Sequence, residues 1–114
     1  MEAASTTLAP GRIERRTPQH MEALAHANRV RLARAALKRR IAAGELDTAE
    51  VVRTCPWEVE TMAVGELLRS QRRWGRTRAR KFLFSLALNE NRTLGRLTER
   101  QRRILADELG RKIR

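Results

Sequence analysis

Residues 69–81 read Arg69-Ser70-Gln71-Arg72-Arg73-Trp74-Gly75-Arg76-Thr77-Arg78-Ala79-Arg80-Lys81, with seven positive charges and no negative one. At the centre stand a bulky apolar residue, a glycine and, four residues after the glycine, an alanine. That order describes a tight turn opening into a helix. Glycine lets the backbone come close to whatever sits above the turn. The first amide N–H groups of the helix have no partner inside it, so they point outward and favour anions. Arginines around such a turn suit a phosphate diester better than a small metabolite. The segment therefore predicts a helical protein that grips a nucleic-acid backbone.

Working outward, a helix is expected from about Arg76 to Ala87, with Ala79, Phe82, Leu83 and Leu86 as its apolar stripe. Arg78 and Lys81 fall on its far side and Arg76 and Arg80 on its near flank, while Phe84 fits neither. Before the turn, residues 64–70 predict a short helix with Val64, Leu67 and Leu68 inward. After α-helical spacing ends, residues 89–97 form a polar link in which Asn89, Asn91 and Gly95 favour turns. Thr98-Glu99-Arg100-Gln101 is a capping box. It opens a last helix with Ile104, Leu105 and Leu109 inward, Gly110 as its stop and a basic tail.

Toward the N-terminus, Asp47-Thr48-Ala49-Glu50 is another capping box, starting a short helix that ends before Pro56. Val51, Val52 and Trp57 are expected to face the core. Thr17-Pro18 reads as an N-cap and first helical residue of a long helix to Ala43, closed by Gly44. Val30, Ala33, Leu37 and Ile41 form its apolar stripe, flanked by Arg31, Arg34 and Lys38. No acid occurs between Glu22 and Glu45. Nothing alternates with period two. The expected fold is all-α: a long N-terminal helix packed on a compact helical domain of about four further helices. Residues 1–16 read as a flexible basic arm, 17–44 as the long helix and 45–114 as the domain.

Composition agrees. The chain has 114 residues and a net charge of +12, enough for one modest core and basic enough to seek polyanions. Residues 58–114 hold 15 Lys/Arg against 7 Asp/Glu, and residues 1–57 hold 10 against 6. Cys55 is the single cysteine, which excludes an intrachain disulfide and a cysteine-based zinc site. It is expected to be a buried apolar residue. His20 and His26 are six apart, off the spacing that puts two ligands on one helix face, and read as surface residues. No carboxylate pair, metal cluster or Ser/His arrangement appears, so neither catalysis, metal nor cofactor is expected. The N-terminus lacks the pattern of a signal peptide, and the apolar patch 82–88 is too short to span a bilayer. A cytoplasmic protein, monomeric in solution and independent of membranes, is the expectation.

Two helices joined by a link holding two successive turns, with a phosphate-sized turn before the first, resemble the helix-two-turns-helix module of a ribosomal head protein and of base-excision glycosylases. The module covers about residues 64–110. Over roughly residues 22–109 the chain is similar, more specifically, to the actinobacterial integration host factors. The matching pieces are Ala33-Arg34-Ala35-Ala36-Leu37-Lys38, Met62-Ala63-Val64-Gly65-Glu66-Leu67-Leu68, Trp74-Gly75-Arg76-Thr77-Arg78-Ala79 and Leu97-Thr98-Glu99-Arg100-Gln101-Arg102. Many relatives carry a proline and lysines around the turn, where this chain has Arg72-Arg73-Trp74 and arginines. The resemblance implies a nucleoid-associated protein that binds double-stranded DNA through its phosphates with little sequence preference, bends or bridges it, and serves as cofactor to a phage integrase. It points to Gly75, Arg76, Arg78, Arg80 and Lys81 in the module and to Arg31, Arg34 and Lys38 on the long helix. Arg73 and Thr77, beside and within the turn, complete the candidate set.

The rivals are a ribosomal or other structured-RNA-binding protein using the same module, a repair glycosylase, and a partner-recruiting module. The long N-terminal helix argues against the first, because the ribosomal protein carries its basic extension at the C-terminus. The second needs an N-terminal proline nucleophile, and this chain begins Met1-Glu2-Ala3. For the third, no surface motif in the sequence identifies a partner.

Overall fold

The computed structural model describes residues 18–113. The predicted arm at 1–16 and the Thr17 cap lie outside the described residues. The chain divides into two compact units, one ending at Arg31 and one beginning at Leu32. Five α-helices account for most of the described residues: α1 (Pro18–Ala42), α2 (Thr48–Thr54), α3 (Val64–Arg69), α4 (Arg76–Ser85) and α5 (Glu99–Ile113). Short 3-10 turns occupy Trp57–Val59 and Leu94–Arg96. Among the described residues there is no strand beyond one isolated antiparallel bridge between Ala63 and Thr93, so the chain is all-α. No helix among them is long and apolar enough to cross a membrane.

In the first unit, residues 18–29 are exposed all round the helix, His20 and His26 included. In the second unit, α1 buries Leu37 and Ile41 in the core. It closes as a Schellman motif. The Gly44 N–H donates to the Ile41 carbonyl at 3.0 Å and the Glu45 N–H to the Arg40 carbonyl at 2.9 Å. The reversal needs Gly44 at φ +81°, a conformation that L side chains resist.

Asp47 caps α2 by accepting from the Ala49 N–H at 3.2 Å. Only half of this capping box forms. Glu50 turns instead to Arg53, 2.5 Å away on the next helical turn, because an ion pair at i+3 competes for the same carboxylate. Cys55 ends α2 in the left-handed region at φ 46°, as Pro56 requires some departure from helix before it. Burial, partly offset by Arg102 and reinforced by Glu60, pushes the Cys55 thiol up. Cys55 is half-buried rather than fully buried, and its thiol stays protonated at neutral pH. Trp57 is not a core residue: it is 54% exposed, since the 3-10 turn points Val59 inward in its place.

α2 packs on α5 and α3 on α4 around a core led by Met62, Leu67, Leu68, Leu83, Leu94, Leu105 and Leu109. The Thr98 box forms completely. Thr98 Oγ1 accepts from the Gln101 N–H at 3.0 Å, and Gln101 Oε1 accepts from the Thr98 N–H at 2.9 Å. Two expectations for α5 are corrected. Gly110 does not stop the helix, which runs on to Ile113: glycine inside a helix costs only about 1 kcal/mol against alanine, and Arg111 pairs back to Glu108 at 2.8 Å. Ile104 is 43% exposed, while Ala106 takes the inward place. The buried arc runs through Leu105, Ala106 and Leu109, one position beyond Ile104. α4 likewise ends at Ser85, two residues earlier than predicted, and Ala87 turns the chain at φ 60°.

The segment before α3 and the link after α4 are stitched together through their backbones. The Val64 and Gly65 N–H groups, orphans of the α3 N-terminus, donate to the Arg92 and Glu90 carbonyls at 2.8 and 2.9 Å. In return Leu94 and Gly95 donate to the Met62 and Glu60 carbonyls at 3.0 and 2.8 Å. The approach leaves no room for a side chain at position 65. A Cβ there would stand 2.9 Å from Glu90 Cβ and 3.0 Å from the Glu90 carbonyl oxygen. Gly65→Ala is therefore expected to destabilise the protein by about 1–3 kcal/mol through overpacking, read as a shift of the urea midpoint. A midpoint equal to wild type would show that the stitch yields freely.

Candidate nucleic-acid interface

Between α3 and α4 the chain turns at Gln71-Arg72-Arg73-Trp74, closed by the Trp74 N–H donating to the Gln71 carbonyl at 3.2 Å. Buried Gln71 braces the turn by donating its side-chain amide to the Leu68 carbonyl at 3.1 Å. Arg73 holds φ 69°, a left-handed conformation that costs a non-glycine residue about 1–2 kcal/mol.

Trp74 is the anchor. It is buried and meets the edge of Phe82 at a centroid distance of 5.3 Å and an angle of 88°. The Arg78 guanidinium lies over its ring at 4.2 Å. Trp74 thus ties the turn to the core through Phe82 while holding a cation over its face. The i, i+4 spacing of Trp74 and Arg78 is visible in the sequence, but the stacking role was not foreseen there.

Gly75 precedes α4 in an extended conformation, φ −84° and ψ −177°, with no side-chain cap on the helix. The Ala79 N–H is the first in α4 to find a carbonyl within the helix start, that of Gly75, at 3.1 Å. The N–H groups of Arg76, Thr77 and Arg78 are left to face outward, and no acid stands in the first turn. Nothing within the fold requires glycine at position 75: its φ suits any L residue, and an added Cβ would meet nothing within 4 Å.

The structure sorts the candidate cations. Arg72, Arg73, Arg76 and Lys81 are exposed and form no ion pair among the described residues. Arg80 is held by Glu90, Nε to Oε2 at 2.9 Å, and the same carboxylate lies 3.7 Å from Arg69. On α1, Lys38 pairs with Glu66 at 2.7 Å. The Arg34 guanidinium donates to the Glu58 carbonyl at 3.1 Å and also contacts the Thr61 hydroxyl. Arg34 and Lys38 thus already hold α1 to the segments around α3. Arg31, in the first unit, donates to Asn28 Oδ1 at 2.6 Å. The turn set of Arg73, Gly75, Arg76, Thr77, Arg78 and Lys81 falls within one stretch at the start of α4. A groove of about 560 Å³ runs along it, lined by Trp74, Thr77, Arg78, Lys81, Phe82, Ser85 and Lys112. Lys112 belongs to this surface, and the sequence reading missed it because α5 was expected to stop at Gly110. Among the described residues no three His, Cys, Asp or Glu side chains gather as a metal site would require.

No protein-family model and no curated protein matches the chain. Among solved structures it matches sIHF, the Streptomyces integration host factor, solved bound to an 8-base-pair palindromic DNA. The TM-score is 0.68 at 27% identity, over 75% of this chain and 99% of that one. The chain has the fold of an actinobacterial integration host factor. The family resemblance carried by the alanine- and arginine-rich helix, the Gly75 turn and the Thr98 box is thereby matched by the architecture.

Because position 75 is open, Gly75→Ala is expected to change stability by less than about 1 kcal/mol, in contrast to Gly65→Ala. Thermal unfolding of the two variants side by side checks the contrast. Equal losses would mean that the Gly75 turn is constrained from within the fold.

Proposed function

We propose that this protein is a nucleoid-associated, double-stranded DNA-binding protein that holds the duplex by its phosphates. The observation that carries the reading is the start of α4: three outward N–H groups with no cap and no acid, beside exposed Arg72, Arg73, Arg76 and Lys81. Backbone N–H groups and the positive end of a helix both favour an anion there. Arginine adds forked donors that match a phosphate. That the matching fold was solved on DNA supports the same ligand.

Phosphate contacts carry no base code, so binding tolerates most sequences. Gly75, Arg76, Thr77, Arg78, Lys81 and Arg73 form the primary grip. Arg80 and Lys38 contribute in exchange for Glu90 and Glu66, Arg34 in exchange for its bonds to Glu58 and Thr61, and Arg31 is a further phosphate ligand of the long helix. Bending or bridging of the duplex, and work beside a phage integrase in recombination, extend the reading, with the nucleoid as its place of action. The protein acts without a cofactor and catalyses no reaction.

Neutralising about six phosphates lowers affinity roughly 10³-fold between 50 and 200 mM salt. Fluorescence anisotropy on a mixed-sequence duplex DNA and a matched duplex RNA, each across that range, tests this. Steep DNA binding with weaker RNA binding is expected. Preference for the RNA would favour a structured-RNA ligand for the same module. Arg76→Glu combined with Arg78→Glu is expected to remove DNA binding while circular dichroism stays helical, and unchanged affinity in that variant would place the grip elsewhere.

A further inference from the structure

Phe84 is 82% exposed, more than any other large apolar side chain among the described residues. It stands on α4, the helix whose start forms the proposed grip. At ~100° per residue, Arg76, Arg80 and Phe84 follow one another at i, i+4 and i+8, and Thr77 and Lys81 run beside them. Phe84 falls near the middle of that arc. It lies ~160° round the helix from buried Phe82, ~140° from buried Ala79 and ~100° from buried Leu83, outside the buried face. The helix therefore presents a row of cations with one bare aromatic ring at its far end, ~12 Å along the axis from Arg76. Among the described residues nothing covers the ring: the core stripe is complete without it, and its backbone carbonyl accepts the ordinary closing bond from the Ala87 N–H at 3.0 Å.

The flanking charge selects the occupant. A protein surface that covered Phe84 would have to meet Lys81, which forms no ion pair among the described residues, on one side and Arg80, paired with Glu90, on the other, whereas a duplex groove offers phosphates at its lips and apolar sugar and base surface within. Grooves of B-DNA are ~6 to ~12 Å wide, comparable with the distance between the helix start and the ring. Phenylalanine is among the side chains that wedge between base steps when so placed.

We propose that Phe84 is a DNA-contacting wedge, entering the groove beside the backbone held at the start of α4 and prying apart a base step. This rests on the DNA-binding reading above. The test uses the full chain with a duplex carrying 2-aminopurine, whose fluorescence rises on unstacking, and a duplex with a fluorophore pair on its ends, whose energy transfer rises on bending. Phe84→Ala is expected to weaken binding about tenfold, to keep the wild-type salt slope because no phosphate contact is lost, and to lose both fluorescence changes. Phe84→Leu retains apolar bulk and is expected to keep most of the affinity. Circular dichroism of both variants should match wild type, as expected for an exposed residue. If Phe84→Ala binds and unstacks DNA as wild type does, while Arg76→Glu with Arg78→Glu abolishes binding, the wedge is overturned and the DNA reading stands, with the ring left to a protein contact. If wild type itself fails to bind duplex DNA, the reading and the wedge fall together.

Discussion

Four backbone hydrogen bonds between residues 60–65 and 90–95 govern the rest of the second unit. The chain leaves this stitch into α3 and returns to it after α4. Everything between is one closed loop: α3, the arginine-rich turn and α4. Pinning a loop at its base removes much of the freedom of whatever it carries. The bonds also satisfy the first orphan donors of α3, which no side chain caps. At this crossing both Gly65 and Gly95 lie against backbone. A Cβ at position 95 would stand 2.8 Å from the Glu60 carbonyl oxygen. Gly75, in the middle of the loop, has no such neighbour. Gly65 and Gly95 are thus explained by the fold, and Gly75 is not.

The same loop violates the ordinary electrostatics of a helix start. Cations near a helix N-terminus are unfavourable by a few tenths to about 1 kcal/mol each, yet α4 opens with Arg76 and Arg78 and has no acid in its first turn. Acids are present nearby but are engaged with other cations. Glu90 is drawn in against Arg69 and Arg80, and Glu66 against Lys38. These pairs hold α3, α4 and α1 in register, and they leave the turn cations uncompensated. Broken local rules that the fold does not need to break are expected where a protein meets its ligand. An incoming polyanion would reverse the sign of every unfavourable term at once.

Elements set by local chemistry were legible in the sequence. The Gly44 closure, the Asp47 cap, the Thr98–Gln101 box and the apolar stripe of α4 each depend on residues within one or two turns. What escaped depended on partners far along the chain. The Lys38–Glu66 pair spans 28 residues, so Lys38 read only as part of a free basic flank. Ile104 and Trp57 read as core because they are apolar, but the packing of α5 on α2 and the 3-10 turn at Trp57–Val59 decided otherwise. Gly110 read as a stop on propensity alone, and that hid Lys112 from the surface beside Arg78. Phe84 was visible as a misfit from the start: an apolar residue off the stripe of its own helix.

That misfit matters because α4 is short and fixed along its whole length. Ala79 and Leu83 are fully buried on one side, Trp74 and Phe82 lock its start, and the stitched link follows within a few residues of its end. Such a helix cannot roll or slide to accommodate a ligand without opening the core. A phosphate held at its first N–H groups would therefore fix where the last turn lies on the same duplex. A flexible arm bearing the same arginines and the same aromatic would bind as tightly through charge, but it would place the ring nowhere in particular. Under the proposed DNA-binding reading, rigidity would turn a nonspecific grip into one with a defined geometry, and any distortion of DNA would follow from the packing of α4 rather than from reading of the bases.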